Sequence, residues 1–214
     1  MRLVAFDFDG TLSADEMIDD LGERHGVAEE IGSITERAMA GELPYAESLR
    51  RRVGLLEGMP VAAAEEILTS VRLQPGAAEL LSRLNGSDTT TAILTGGFER
   101  GVEAALSAAG VSVDEIVANR LIQADGVLTG RVEGRLVDGD KANALRRVAT
   151  ESRIPLDRAV AVGDGANDIP MLRLAGVGVG YDPTPTVADE CDVIVHSMPE
   201  LAAVLEEHGA LVDG

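Results

Sequence analysis

Asp7-Phe8-Asp9-Gly10-Thr11 sets two carboxylates two positions apart, at the end of an apolar run from Leu3 to Phe8 that reads as a buried strand. Strand alternation sends Asp7 and Asp9 one way and Phe6 and Phe8 the other, into the core. Carboxylates this close repel each other and attract a cation. The plainer reading of the run is an acidic loop in which Thr11 caps a helix. Thr95-Gly96-Gly97 ends a second strand just before a helix predicted to begin at Phe98. A hydroxyl and two glycines there make either an ordinary turn or a cradle in which backbone N–H groups and the helix dipole hold a phosphate. Lys141 falls in the first turn of a predicted helix, where a cation opposes the dipole. It is the one lysine among 18 basic residues. A replaceable surface cation would be arginine in such a chain, so Lys141 reads as a compact point charge of the kind that faces a phosphoryl group, the alternative being that the single lysine falls here by chance. Gly163-Asp164-Gly165-Ala166-Asn167-Asp168 follows another strand, with Asp164 at its end and Asp168 in the next helical turn. Together with Asp7 and Asp9 these acids offer oxygen ligands to a hard cation that keeps part of its water, which is how Mg²⁺ binds. Alone, the run also suits a loop that caps a helix.

The elements that must position these residues follow from periodicity and punctuation. Residues 13–73 read as helical, in amphipathic stretches near 15–25, 28–40, 44–56 and 61–71, separated by Gly41, Gly58-Met59-Pro60 and Gln74-Pro75-Gly76. From residue 75 helices and strands alternate: helix 76–85, strand 90–95, helix 98–109, a strand near 115–118, helix 140–152, strand 159–162, helix 167–174, strands 177–179 and 192–195, and helix 199–208. Ala124-Asp125-Gly126 reads as a hairpin turn. Such alternation means an α/β fold with a parallel sheet covered on both faces, and ligands then bind where the strands end. The helical stretch after the first strand is too long for one crossover. It is expected to form a small helical cap, residues 13–73, over a Rossmann-like core made of 1–12 and 74–214. No internal repeat or low-complexity tract interrupts this order.

In chain order the strand ends carry DxDxT, TGG, Lys and GDGxND. This set resembles the haloacid dehalogenase superfamily of aspartate-nucleophile phosphatases, and within it the phosphoserine phosphatases. The runs that carry the likeness are Asp7 to Leu12, Thr95 to Phe98, Ala118-Asn119-Arg120-Leu121 and Val162 to Asp168. In the helical stretch they are Glu16, Met39-Ala40-Gly41-Glu42-Leu43 and Ser48-Leu49-Arg50-Arg51-Arg52-Val53. The resemblance implies a Mg²⁺-dependent hydrolase that makes serine and phosphate from O-phosphoserine, the last step of serine biosynthesis. It implies that Asp7 is the nucleophile, that Asp9 is the general acid and base, and that Thr95, Gly96, Gly97, Lys141 and Asn167 hold the phosphoryl group. Asp7, the Asp9 backbone carbonyl and Asp164 would ligate the metal, and Asp168 would hold Lys141 or a metal-bound water. Thr95 stands where these enzymes often have serine, which keeps the hydroxyl and adds a methyl. The regulatory domain that some relatives carry is not expected. The alternatives are a related phosphatase for another small phosphomonoester, an inactive metal-binding relative, and a phospho-acceptor signalling domain that hydrolyses no metabolite. Asp9 and the helical insert argue against the signalling domain.

Two residues of the helical stretch bear on substrate choice. Glu16 closes a Ser13-Ala14-Asp15-Glu16 capping-box pattern, in which it would reach back to the Ser13 N–H; the resemblance implies instead that it binds the substrate ammonium. Tyr45, Leu49, Arg52 and Leu56 fall on one face of a helix that Pro44 can open, so Arg52 sits in an otherwise apolar stripe. A guanidinium there needs a carboxylate, from within the cap or from the substrate. Glu47 is placed to pair with Arg51 instead. Met39 and Tyr45 suit an apolar pocket wall, with core packing the default for Met39. His25, His196 and His208 show no ligand spacing, and Cys191 reads as a small buried residue.

The 214-residue composition excludes other classes of function. Charged residues make up 26% and hydrophobic residues 45%, a globular balance, and the net charge is −19 at pH 7. So negative a surface repels nucleic acid and anionic lipid. No apolar run approaches the roughly 18 residues of a membrane span. The start of the chain shows no signal-peptide pattern, so a cytoplasmic, reducing setting is expected. One cysteine allows neither an intramolecular disulfide nor a cysteine-built zinc site. Acid excess with scarce lysine points to a salt-adapted surface, whose repulsion salt screens; codon bias would explain the arginines but not the charge.

Overall fold

The computed structural model describes residues 1–39 and 42–211. Ala40, Gly41 and the last three residues of the expected core therefore lie outside the described residues. The strands are β1 (Arg2–Phe6), β2 (Thr89–Phe98), β3 (Glu115–Ala124), β4 (Val127–Gly134), β5 (Ala159–Gly163), β6 (Val177–Tyr181) and β7 (Val193–Val195). The helices are α1 (Met17–His25), α2 (Ala28–Met39), α3 (Tyr45–Gly54), α4 (Val61–Ser70), α5 (Ala77–Asn85), α6 (Glu99–Ala109), α7 (Lys141–Glu151), α8 (Ile169–Leu172), α9 (Pro185–Ala188) and α10 (Met198–Glu207).

Among the described residues the seven strands make one sheet in the order β4-β3-β2-β1-β5-β6-β7. All neighbours are parallel except β4, which runs antiparallel to β3. Asp125 and Gly126, at the expected hairpin turn, have φ of 51° and 81°. Left-handed φ at both central residues suits the right-handed twist of a two-residue hairpin, and this hairpin makes one edge of the sheet antiparallel.

Alternation along β1 builds both faces. Val4, Phe6 and Phe8 join one buried cluster with α5, α6 and α10, while Leu3 and Ala5 join the other with α7 and α8. The cores of α1 to α4, which stand between β1 and β2 in the chain, are continuous with the first cluster through Met17, Leu21, Ile31, Leu49 and Leu56. β1 lies in the centre with β2 on one side and β5 on the other, so the chain leaves β1 in opposite directions and opens a crevice at its carboxyl end. Two expectations change. Met39 is 69% exposed, because α2 buries only Ile31, so it packs in no core. Cys191 is half-buried, with Sγ 3.1 Å from the Val187 carbonyl.

Candidate active site

The carboxyl ends of β1, β2 and β5 and the first turn of α7 bring the four runs together. The Asp7 N–H continues the β1 ladder onto the Val162 carbonyl (2.8 Å), which fixes the Asp7 backbone beside β5. As alternation requires, Phe6 and Phe8 are fully buried in the core, while Asp7 and Asp9 face the crevice, 5% and 9% exposed. Lys141 enters from α7 and is itself buried; its Nζ lies 2.5 Å from Asp7 Oδ1 and 2.5 Å from Asp168 Oδ1. It is hydrogen-bonded to Asp168 and ion-paired with Asp7. Asp168 accepts further N–H groups from Asp164 (3.1 Å) and Gly165 (3.0 Å) on Oδ2. Asp168 thus holds Lys141, one of the two partners expected for it.

Oxygens of Asp7, Asp164 and Asp168 lie within 4.8 Å of one another. The Asp9 carboxylate stands outside this group: Oδ1 accepts the Met17 N–H of α1 (3.5 Å) and Oδ2 the Thr95 hydroxyl (3.3 Å). The donor set fits a hard divalent cation, being all oxygen, partly buried and balanced by one lysine alone. Burial pushes the Asp7 carboxyl well above the usual carboxylate range, and Asp168 repels it further against the pull of Lys141. Burial and Asp168 likewise push Asp164 up to about 6. An added positive charge relieves both. For Lys141 burial works against the charge, but Asp168 and Asp7 outweigh it and hold the ammonium above its ordinary range. Asp9 is pushed up to about 7 by burial, offset in part by the Met17 N–H, Lys141 and Thr95. A carboxyl in that range can both give and take a proton near neutral pH.

On β2 the Thr95 hydroxyl donates to Asp9 and accepts the Gly97 N–H (2.9 Å). The Gly97 amide expected in a phosphate cradle thus rests on Thr95, within reach of the crevice. Both glycines let neighbouring side chains approach closely. A Cβ at Gly97 would lie 2.2 Å from Asp9 Oδ2, and one at Gly96 would collide with the Tyr45 hydroxyl. That collision places the Tyr45 phenol over the glycine pair. Asn167, half-buried beside Gly165, completes the β5 side.

The substrate-choice residues enter from α1 and α3. Glu16 is the N-cap of α1 and makes no side-chain cap bond, while the Ser13 hydroxyl accepts the Asp15 N–H (3.2 Å), so no capping box forms. Glu16 is exposed at its surface, yet desolvation by the surrounding protein, together with Asp9, Asp164 and Asp19, pushes its carboxyl up to about 8 against Arg52. Arg52 is half-buried, and the only hydrogen bond of its side chain among the described residues is a long one, 3.5 Å, to the Thr35 hydroxyl. Its Nε is buried without a partner. Its neighbours are paired elsewhere, Arg50 with Asp138 and Arg51 with Glu47 as the spacing predicts. No acid of the described residues makes an ion pair with Arg52, so the salt bridge within the cap is excluded there.

Three contributors escaped the sequence reading. The Thr11 hydroxyl donates to Asp164 Oδ1 (3.0 Å) instead of capping a helix. The Gln74 amide holds the Gly10 and Thr11 carbonyls, at 3.4 and 3.2 Å, and so pins the loop after β1. Asn119 donates to the Gly96 carbonyl (2.9 Å). The first two contacts join residues more than sixty positions apart, and no local pattern announces them. A surface cavity of about 490 Å³ between Arg146 and Leu156 holds none of these groups.

The crevice gathers paired acids, a lysine and two glycines at the strand ends of an α/β sheet, and the chain belongs to the haloacid dehalogenase-like hydrolases, whose family description matches residues 4–173. It is 52% identical over 209 residues to a phosphoserine phosphatase from Halobacterium salinarum, covering 98% of this chain and 99% of that one. Among solved structures it resembles a phospho-aspartyl intermediate analogue of phosphoserine phosphatase, with a TM-score of 0.88 and 36% identity over 95% of this chain and 98% of the other. A substrate-bound phosphoserine phosphatase complex matches with a TM-score of 0.87 and 36% identity, over 96% and 97% of the two chains. No helix among the described residues is long and apolar enough to cross a membrane.

Proposed function

We propose that this chain hydrolyses O-phosphoserine to serine and phosphate with Mg²⁺ as its cofactor. The observation that carries the substrate reading is Arg52, a half-buried guanidinium with an unpartnered buried Nε and no acidic partner among the described residues, whose charge acts on the Glu16 carboxyl. An arginine awaiting a carboxylate and a glutamate in a field that draws a cation read the two ends of an amino-acid zwitterion. The phosphoester then lies over Asp7. The names of the relatives support the same reading.

Asp7 attacks phosphorus in line, the bond to the serine oxygen breaks, and an aspartyl-phosphate forms. Asp9, protonated in part near neutral pH, gives its proton to the departing oxygen, then takes one from the water that hydrolyses the intermediate. Lys141, the Thr95 hydroxyl and the Gly96 and Gly97 amides hold the charged phosphoryl oxygens, and Asn167 orients them. Asp168 keeps the Lys141 ammonium beside Asp7. Mg²⁺, when bound, stabilises the charge on the phosphoryl oxygens. Asp7, Asp164 and the Asp9 backbone carbonyl would hold it, with Asp168 in support through its neighbours. We assign residues 1–12 and 74–214 to the catalytic core and 13–73 to a helical cap that keeps bulk water from the intermediate. Phosphate release from a panel of small phosphomonoesters tests this reading. O-phosphoserine should have the highest kcat/KM; a sugar or polyol phosphate in first place would reassign the substrate.

A further inference from the structure

β2 and β3 keep parallel register up to Leu94 opposite Val117, and resume with Phe98 opposite Asn119. Thr95, Gly96 and Gly97 thus face a single residue, Ala118, and β2 bulges where the candidate cradle lies. A bulge leaves backbone groups without ladder partners, and a buried orphan carbonyl is costly. The Gly96 carbonyl is one that the bulge displaces, and it is met by the Asn119 side-chain amide at 2.9 Å. Asn119 is wholly buried, and its own Oδ1 has no partner. The far side of the carboxamide is kept open by Gly134, its pairing partner on β4. Gly134 has φ of 155°, and a Cβ there would lie 2.3 Å from Asn119 Oδ1. Three strands are therefore shaped around one amide.

The consequence follows from peptide geometry. In a trans peptide the C=O and the N–H of the same plane point in opposite directions. Fixing the Gly96 oxygen toward Asn119 therefore aims the Gly97 N–H the other way, and there it meets the Thr95 hydroxyl, which in turn donates to Asp9. A chain of hydrogen bonds runs from Asn119 through the Gly96–Gly97 peptide and Thr95 to Asp9. We infer that Asn119 is a positioning residue for phosphoryl transfer: it substitutes for the ladder donor lost at the bulge and locks the cradle peptide with its N–H on the Thr95 hydroxyl, beside the crevice. It touches no reacting atom. The inference rests on the phosphatase reading for its consequence in turnover.

The test uses the full chain with Mg²⁺ and inorganic phosphate as the probe. In wild type, the amide resonances of Gly96 and Gly97 and the Asn119 side-chain amide should all move on titration with phosphate. Asn119→Ala leaves the carbonyl unpartnered, and Asn119→Asp sets a carboxyl group in place of the donor. Each should lower kcat by about tenfold to a hundredfold, as small misplacements of a transition-state donor do. The Gly97 response to phosphate should be lost while the thermal transition persists. Folded variants with wild-type kcat and an unchanged Gly97 response would overturn the inference. If neither variant folds, the wild-type titration decides: an Asn119 side-chain amide that stays still while Gly97 moves would overturn it as well. A protein that binds phosphate in this way but leaves O-phosphoserine intact would sink the substrate reading and leave the positioning role standing.

Discussion

Truncating Arg52 separates a pocket for an amino acid from a general phosphatase cleft. Arg52→Ala breaks no ion pair, and the hydrogen bond it removes is 3.5 Å long, so the protein itself should lose little. Removing a buried, unpartnered Nε even relieves a cost, and the change in folding stability should stay within about 1 kcal/mol. The substrate should feel the loss far more. A charge-assisted hydrogen bond contributes about 1.5–3 kcal/mol, which lowers kcat/KM by about tenfold to a hundredfold or more. Glu16→Gln should have a similar effect through the ammonium. Ethyl phosphate offers neither charge and should lose much less. The assay is the ratio of kcat/KM for O-phosphoserine over ethyl phosphate in wild type and both variants. An unchanged ratio would refute the zwitterion pocket; if Arg52→Ala also lowered the melting point markedly, the residue would be structural.

Two further outcomes follow from charge. Asp9 is held near 7 in the fold against about 3.8 in an open chain, so the folded protein keeps a proton that the unfolded chain has lost. That contribution to stability is complete below about pH 4 and fades as the pH rises through about 7. In metal-free protein, Asp9→Asn should therefore flatten the fall of melting temperature across that range, and parallel curves for the two proteins would count against the shift. The net charge of −19 should make the fold weakest at low ionic strength, with melting temperature climbing as KCl approaches molar levels at constant Mg²⁺; a flat or falling profile would return the composition to codon bias.

What was legible in the sequence is what local spacing encodes. The alternation of Phe6, Asp7, Phe8 and Asp9 across a strand end gave both the core and the acidic pair, and the four-three-four stripe placed Arg52 inward. Glycine and proline punctuation located α1 to α4 within a few residues. What escaped depends on register and on distant partners. The bulge in β2 cannot be read from Thr95-Gly96-Gly97 alone, because it exists only relative to β3, and the work of Asn119 is invisible without it. Thr11 resembles a helix cap by composition, yet its hydroxyl finds Asp164 across the crevice. Met39 resembles core by type, but most of α2 faces solvent. Tyr45 suits an apolar wall by type, and the structure adds a hydroxyl standing over Gly96.

The central claim is that phosphate leaves serine by way of Asp7. The most direct measurement is rapid acid quench of the protein with Mg²⁺ and labelled O-phosphoserine, followed by peptide mapping. In Asp9→Asn, where hydrolysis of the intermediate should be slowed, one phosphoryl group per chain should accumulate on Asp7. Asp7→Asn should fold normally, carry no label and release no phosphate. Phosphate release by Asp7→Asn near the wild-type rate, or label on a different residue, would contradict the account.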